Sequence, residues 1–378
     1  MAERPAPLML VVDPAAATSR APFGGYEAVA ETGRALLAAE LSQRLGAMGA
    51  AVAPLLPEEG GEARAFHWGR WFAAASRAAV AASGGRIDAI GYAGAGSLAL
   101  VDDATLDQRL SPVPGEVVSN NRFSTDAFVV AGDLGRAISA LEAAETDNAA
   151  ARHLENAGFG ARDLASTAWS RFDVDTPLDL ALLRLATRLP GTRRPDRSVT
   201  GLLEMGALPG GRRLELPRLA DLGAVMRDGN AELLVAGRIP SATGSYLETE
   251  TACRVRAVVE ERGMRSARGG RPRSLLADWL RDRGPSDLVR ELSSLADAVI
   301  LDTRVLMAAQ AGSADSAGWP PAEERFASDF HDAGRVATAW LAELTAAAAS
   351  ASVPVLLGGH ALVSDGLRIL VEAAWLGR

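Results

Sequence analysis

The feature that most narrows the fold is a repeated alternation of short apolar runs with longer segments of helical spacing. Pro7–Val12, Ala51–Leu56 and Ile87–Tyr92 are apolar runs of strand length. Between them lie Glu27–Gly49, where Leu36, Leu37, Leu41 and Leu45 fall at helical spacing, and an alanine-rich helix that begins near Phe66–Phe72 and runs out at Ser83-Gly84-Gly85. Strand, helix, strand, helix, strand implies a parallel sheet covered by helices, because a parallel neighbour is reached only through a crossover. Further strands are expected at Glu116–Ser119, Ala127–Ala131, Glu232–Ala236, Ala298–Leu301 and Val353–Leu357. Helices are expected at Ala149–Asn156, with Asp147 or Asn148 as its cap, and at Leu214–Asp228, Tyr246–Arg262, Arg335–Ala349 and Ala361–Trp375. The fold class is therefore α/β, a three-layer sandwich with a mostly parallel sheet followed by a second, smaller α/β domain. A chain of 378 residues suits two domains. The polar, proline-bearing stretch Pro190–Arg197 reads as a linker, so the expected division is 1–190, a linker with a bridging helix over 191–230, and 231–378.

Composition removes several function classes. The net charge is −8 and the pI near 5.2, which argues against a nucleic-acid surface. No lysine occurs, so all 39 basic residues are arginine and lysine-dependent chemistry is excluded. The single cysteine, Cys253, cannot form an internal disulfide or a multi-cysteine metal knuckle and fits a reducing cytoplasm. Leu8–Val12 is too short to span a membrane and follows no basic segment, so neither a signal peptide nor a membrane partner is expected. Four histidines lack the i, i+4 spacing of zinc helices, and no GxSxG elbow is present.

Three stretches carry chemistry. In Arg171–Leu180 (Arg-Phe-Asp-Val-Asp-Thr-Pro-Leu-Asp-Leu), Asp173 and Asp175 fall on one side of an extended segment, a seat for a divalent cation. The plainer reading is a helix start, with Thr176 as N-cap, Pro177 in the first turn and Asp179 at the positive helix end. Gly94-Ala95-Gly96-Ser97 follows the third strand, where glycines let backbone N–H groups approach a phosphate or simply form a tight turn. Asn120, Asn121, Arg122, Phe123, Ser124, Thr125 and Asp126 form a polar run that suits a ligand wall or a loop that satisfies its own backbone. In the second half, three strands end in Gly237-Arg238, Asp302-Thr303-Arg304 and Gly358-Gly359-His360. As parallel neighbours they would converge on an anion site with Arg238 and Arg304 as cations, Asp302 beside them, Gly358 and Gly359 as backbone donors and His360 as acid or base. Each also has an ordinary explanation as a cap or salt bridge.

The order of these motifs resembles the nucleotidyltransferases of the GT-A fold. The shared features are a first strand with an Arg/Gly loop, Gly96–Leu106, Asn121–Asp126 and the ending Asp173-Val-Asp-Thr-Pro-Leu-Asp-Leu180. The chain is most similar to the molybdenum-cofactor and phospholactate guanylyltransferases, over Pro7 to about Leu189. The resemblance implies a nucleoside triphosphate bound over the first loop, Mg held by Asp173 and Asp175 with Asp126 beside them, and Arg20 and Arg122 on the phosphates. A nucleotidyl group would pass to a small phosphorylated acceptor, with self-association left open. Two positions depart from the pattern. Glu27 stands near where the family has a lysine, and Ser97 stands where it has a metal-binding aspartate, which leaves Asp102 and Asp103 as substitutes. These losses keep a second reading in play, a non-catalytic fold relative that binds a small molecule or assembles.

Overall fold

The computed structural model describes residues 7–12, 24–55, 67–84, 86–109, 112–164, 168–261 and 271–376, and its contacts divide the chain into two units. The first contains β1 (Leu8–Val12), most of α1 (Tyr26–Ala47), β2 (Ala51–Leu55), α2 (Trp68–Ala82), β3 (Ala89–Ala93) and α3 (Asp103–Arg109). It continues with β4 (Glu116–Ser119), β5 (Ala127–Ala131), α4 (Leu134–Glu142), α5 (Ala150–Asn156) and β6 (Gly160–Asp163). The strands lie in the order β2-β1-β3-β5-β4-β6, all parallel to their neighbours except β5, which is antiparallel to both β3 and β4.

Alternation along the strands loads both faces. Leu8, Leu10, Ile90, Tyr92, Phe128 and Val130 pack with Trp68 and Phe72 of α2, Ile138 and Leu141 of α4 and Leu154 of α5. Met9, Val11, Ala89, Ala93 and Val129 pack on the other side with Leu41 and Leu45 of α1 and Leu106 of α3. Helices therefore cover both faces, and the layers number three. Trp68, Phe72, Tyr92 and Phe128 form one aromatic cluster with ring centroids 5.1 to 6.4 Å apart. Each such pair adds about 0.5–1.5 kcal/mol beyond the area it buries.

The second unit contains α6 (Pro177–Ala186), part of α7 (Arg197–Glu204), α8 (Leu219–Arg227), β7 (Glu232–Gly237), α9 (Ser241–Glu250) and β8 (Arg254–Val259). Then come α10 (Leu275–Arg283), α11 (Pro285–Ser294), β9 (Ala298–Asp302), α12 (Thr303–Ala311), α13 (Ala322–Asp329), α14 (Ala339–Ser350), β10 (Val355–Gly358), α15 (His360–Val363) and α16 (Asp365–Leu376). Its four strands are all parallel in the order β10-β9-β7-β8. Its sheet is the smaller of the two, although the unit spans more of the chain. Among the described residues, no helix is long and apolar enough to cross a membrane.

The structure corrects one expectation about a helix. The helix expected over Tyr246–Arg262 stops at Glu250, and Arg254–Val259 is instead the edge strand β8. The run Val255-Arg-Ala-Val-Val259 is β-branched and suits a pleated strand, which outweighs the Glu/Arg spacing that resembles helical ion pairs. Arg256 pairs across the strands with Glu232 at 2.9 Å, not along a helix. The two units are interleaved along the chain. Thr176–Gly191 belongs with the second unit, and so does the first turn of α1, whereas Thr192–Thr200 of the expected linker belongs with the first. Arg193 in that stretch is anchored by an ion pair to Glu40 and a 3.4 Å hydrogen bond to the Ala99 carbonyl.

Gly69 and Gly46 differ in how tightly the first unit packs around them. A Cβ at Gly69 would lie 2.2 Å from the Leu141 carbonyl oxygen, so α2 approaches α4 backbone to backbone, whereas nothing lies within 4 Å of a Cβ at Gly46. Gly69→Ala should therefore lose about 1–3 kcal/mol of stability to overpacking. Gly46→Ala should be neutral or gain up to about 1 kcal/mol from helix propensity. Urea denaturation of both variants checks the contrast.

Candidate functional site

In an open parallel sheet, ligands bind beyond the carboxyl ends of the strands, where neighbouring crossovers diverge. In the first unit that point lies between β1 and β3, because the chain passes outward from β1 to β2 and then returns to the other side as β3. The loop after β1, with Arg20, lies outside the described residues. The loop after β3 is Gly94–Ser97. Gly94 donates its N–H to the Asp126 carbonyl at 2.8 Å, and Ser97 donates both its N–H (3.2 Å) and its hydroxyl (2.8 Å) to the Gly94 carbonyl. A Cβ on Gly96 would lie 2.2 Å from the Val174 carbonyl oxygen. This turn is thus packed directly on the segment that carries Asp173 and Asp175. Leu98 follows at φ 59°, a left-handed conformation that is costly for a leucine. Arg44 holds the strained stretch, donating to the Leu98 and Val101 carbonyls at 3.3 and 2.5 Å and to Asp103 at 2.8 Å.

Phe172–Asp175 lies in no helix or strand, with Phe172 and Val174 buried and Asp175 on the solvent side. Asp173, half-buried, alternates with them as the two-residue spacing implies. Thr176 caps α6 in a capping box. Its hydroxyl accepts from the Asp179 N–H at 3.3 Å, and its own N–H donates to the Asp179 carboxylate at 2.9 Å. The cap and the two aspartates therefore coexist, because they involve different side chains. Asp175 is open to solvent by area, yet enough protein surrounds it to desolvate its carboxyl. Burial pushes its carboxyl pKa up, and Arg34 pulls it back.

Asn120–Asp126 is the turn of the β4–β5 hairpin. Asn120 is buried. Its side-chain oxygen accepts from the N–H groups of Asp126 (2.9 Å) and Ala127 (3.0 Å), and its amide donates to the Asp126 carboxylate at 3.1 Å. The Asn121 side chain accepts from the Phe123 N–H at 3.2 Å, and Ser124 donates its hydroxyl to Asn148 at 2.5 Å. Arg122 is engaged by Glu155 at 2.6 Å, and its N–H donates to Asp163 at 3.0 Å. The run thus satisfies much of its own polarity. Asp102 and Asp103 also have local partners: Asp102 accepts from the Thr105 N–H and hydroxyl at 2.8 and 2.7 Å, and Asp103 pairs with Arg44.

Two residues to which the sequence assigns other roles, Tyr92 and Asp147, join the site. Ala149, not Asp147 or Asn148, holds the cap position of α5, and Asp147 accepts the Tyr92 hydroxyl at 3.0 Å. Burial raises the pKa of both groups, and the negative charge of Asp175 adds to the effect on Asp147. The Tyr92 phenol also feels Asp126. Asp126, Asp147 and Asp175, from three separate stretches, are thereby brought around the end of β3. A tyrosine ending an apolar strand needs a partner for its hydroxyl, and that need is the signal the sequence offers. The partner is 55 positions away, beyond any local spacing.

The sequence matches no known family model and no curated protein. Among the described residues, no group of three or more acidic, histidine or cysteine side chains is arranged to hold a metal ion.

In the second unit the crossovers diverge between β7 and β9, and the expected strand ends do meet there, with Asp302 and Gly358 as register partners. Gly237 has φ 136° and would place a Cβ 2.3 Å from the Asp302 Cβ, so only glycine admits this approach. The two arginines expected to hold an anion are matched with carboxylates. Arg238 holds buried Asp302 through Nε at 2.6 Å and Nη2 at 3.1 Å. Arg304 holds buried Asp329 through Nη1 at 2.6 Å and Nη2 at 2.7 Å. Burial alone would push the Arg304 guanidinium down, but the Asp329 charge and hydrogen bonds hold it above its usual value, while burial outweighs the pull of Arg304 on Asp329 and raises that carboxyl. Thr303 donates to the Gly358 carbonyl at 3.1 Å, and Gly359 faces Arg304. His360 begins α15 at this edge.

Two variants probe these electrostatics. Arg304→Ala leaves the buried Asp329 carboxyl without its partner and should cost about 3–5 kcal/mol, measurable by denaturant titration. For Asp147, a native pKa raised above the ordinary carboxylate value means the folded state holds its proton more tightly than the unfolded chain. Stability therefore falls as pH climbs from the usual carboxylate range through the native value, and the penalty is fully present above that value. Asp147→Asn should melt above wild type at pH 7, and the difference should shrink as the pH drops below that range. Thermal melts across pH read this directly.

Proposed function

We propose that the first unit binds a nucleoside triphosphate with Mg²⁺ at the carboxyl edge of its sheet and transfers a nucleotidyl group to a small phosphorylated acceptor, as a divergent nucleotidyltransferase of the GT-A kind. The observation that carries this reading is the packing of Gly96 on Val174. It draws the glycine turn, Asp126, Asp147 and the Asp173–Asp175 segment to one edge from four separate stretches of chain. Such an edge is rich in charged oxygen, the donor type that a hard divalent cation favours. Asp173 and Asp175 would hold the ion, with Asp126 beside them, and the bound ion would supply charge neutralisation at the phosphates. Arg34, whose charge acts on Asp175, is a cation available to the same phosphates, and the resemblance adds Arg20, which lies outside the described residues. Transfer of this kind depends on positioning and charge more than on a covalent nucleophile, so the absence of lysine does not forbid it. The lone cysteine accords with work in a reducing cytoplasm.

A second reading, a non-catalytic relative that binds a small molecule or assembles with itself, is favoured by two observations. Ser97 stands where the resemblance calls for a carboxylate and spends its hydroxyl on Gly94, and Arg122 is already paired with Glu155. Calorimetric titration with GTP, CTP and ATP in the presence of MgCl₂ separates the two. Saturable binding of at least one nucleotide is expected, lost with EDTA and weakened about tenfold or more in Asp175→Ala. No binding by any of the three overturns the first reading.

A further inference from the structure

The hairpin turn after β4 carries an aromatic ring that folding does not account for. Phe123 is 64% exposed, the most open aromatic side chain among the exposed large hydrophobics of the described residues. Its neighbours tie the turn down on all sides. Asn121 accepts the Phe123 N–H, Ser124 is bonded to Asn148, Arg122 to Glu155 and Asp163, and Asn120 clamps Asp126. The ring is thus held outward by a rigid, polar frame. The Arg122 guanidinium lies over one face, 5.5 Å from the ring centroid, and most of the side chain is open to solvent.

Its location is equally specific. Ser124 and Thr125 both bond to Asn148, the residue after Asp147, and Phe123 is three Cα steps from Asp126, about 11 Å at most. Asp126 and Asp147 belong to the acidic edge of the sheet around the end of β3. The sugar and phosphates of a nucleotide would bridge such a distance between a stacked base and ion-bound oxygens.

We infer that Phe123, backed by Arg122, is the platform on which the base of the bound nucleotide stacks. This rests on the nucleotide-binding reading and adds the subsite that takes the ring. Stacking on an aromatic face tolerates any base, so the platform confers affinity for a planar ring more than choice among bases. Because Phe123 is exposed, its replacement removes the ring face without leaving a cavity in the core.

The test compares GTP, ATP and inorganic tripolyphosphate, each with MgCl₂, by calorimetry on the full chain. Phe123→Ala should weaken both nucleotides about 5- to 150-fold and leave tripolyphosphate unchanged. Phe123→Leu, which keeps apolar bulk but no ring, should behave like Phe123→Ala, and Phe123→Trp should retain binding and change its fluorescence on addition of nucleotide. Equal nucleotide affinity in wild type, Phe123→Ala and Phe123→Leu overturns the platform while nucleotide binding stands. Tripolyphosphate binding without nucleotide binding by wild type also overturns it. Binding of neither probe removes both readings together.

Discussion

The close approach of two backbones at Gly96 and Val174 fixes much of what surrounds the edge of the first sheet. A side chain at position 96 would have to occupy the space of the Val174 carbonyl, so the turn after β3 and the segment before α6 can meet only through a glycine. That contact sets where Asp173 and Asp175 emerge, relative to a turn almost eighty residues earlier in the chain. It also accounts for the inward-facing Ser97, whose hydroxyl closes the turn, and for the strained Leu98 that follows under the hold of Arg44.

Much of this architecture is legible in the residues. Strands with apolar runs and period-two alternation can be read directly, because a buried parallel strand has few alternative compositions. So can the capped start of α6, since Thr-Pro-x-Asp supplies each part of a capping box within four positions. The convergence of the strand ends of β7, β9 and β10 also follows, because parallel neighbours must end on the same side. Charge pairing is illegible. The partner of Arg304 lies 25 positions away and that of Arg238 lies 64 away, and no spacing rule links them. At β8, glutamates and arginines four apart imitate a helix surface, while the β-branched content of a six-residue run decides the outcome. The hairpin turn at Asn120–Asp126 is legible only as a polar loop between two strands, since its polar side chains replace the glycine and proline that usually mark a reversal.

The two sheet edges differ in how their charges are balanced. In the second unit, acid and base are matched in bidentate pairs beneath the surface, an arrangement that fixes geometry at a desolvation cost. In the first, carboxylates gather near Tyr92, where burial raises the pKa values of Asp147 and Asp175 and the charge of Asp175 raises that of Asp147 further. A fold gains nothing from such crowding, and a bound cation would offset it. The contrast makes the first edge the better candidate for chemistry and the second the better candidate for rigidity.

The division of the chain has a consequence for how the protein is made. Neither unit is a continuous stretch, because the first turn of α1 is counted with residues beyond 200 and Thr192–Thr200 is counted with the first sheet. During synthesis the ribosome must pass residue 200 before the first unit possesses all its parts. The opening turn of α1 must wait far longer, until Phe330 arrives to stack on Tyr26. Folding domain by domain from the N-terminus, the usual order for a chain of this size, therefore leaves α1 unfinished at its own start until the second unit has been made.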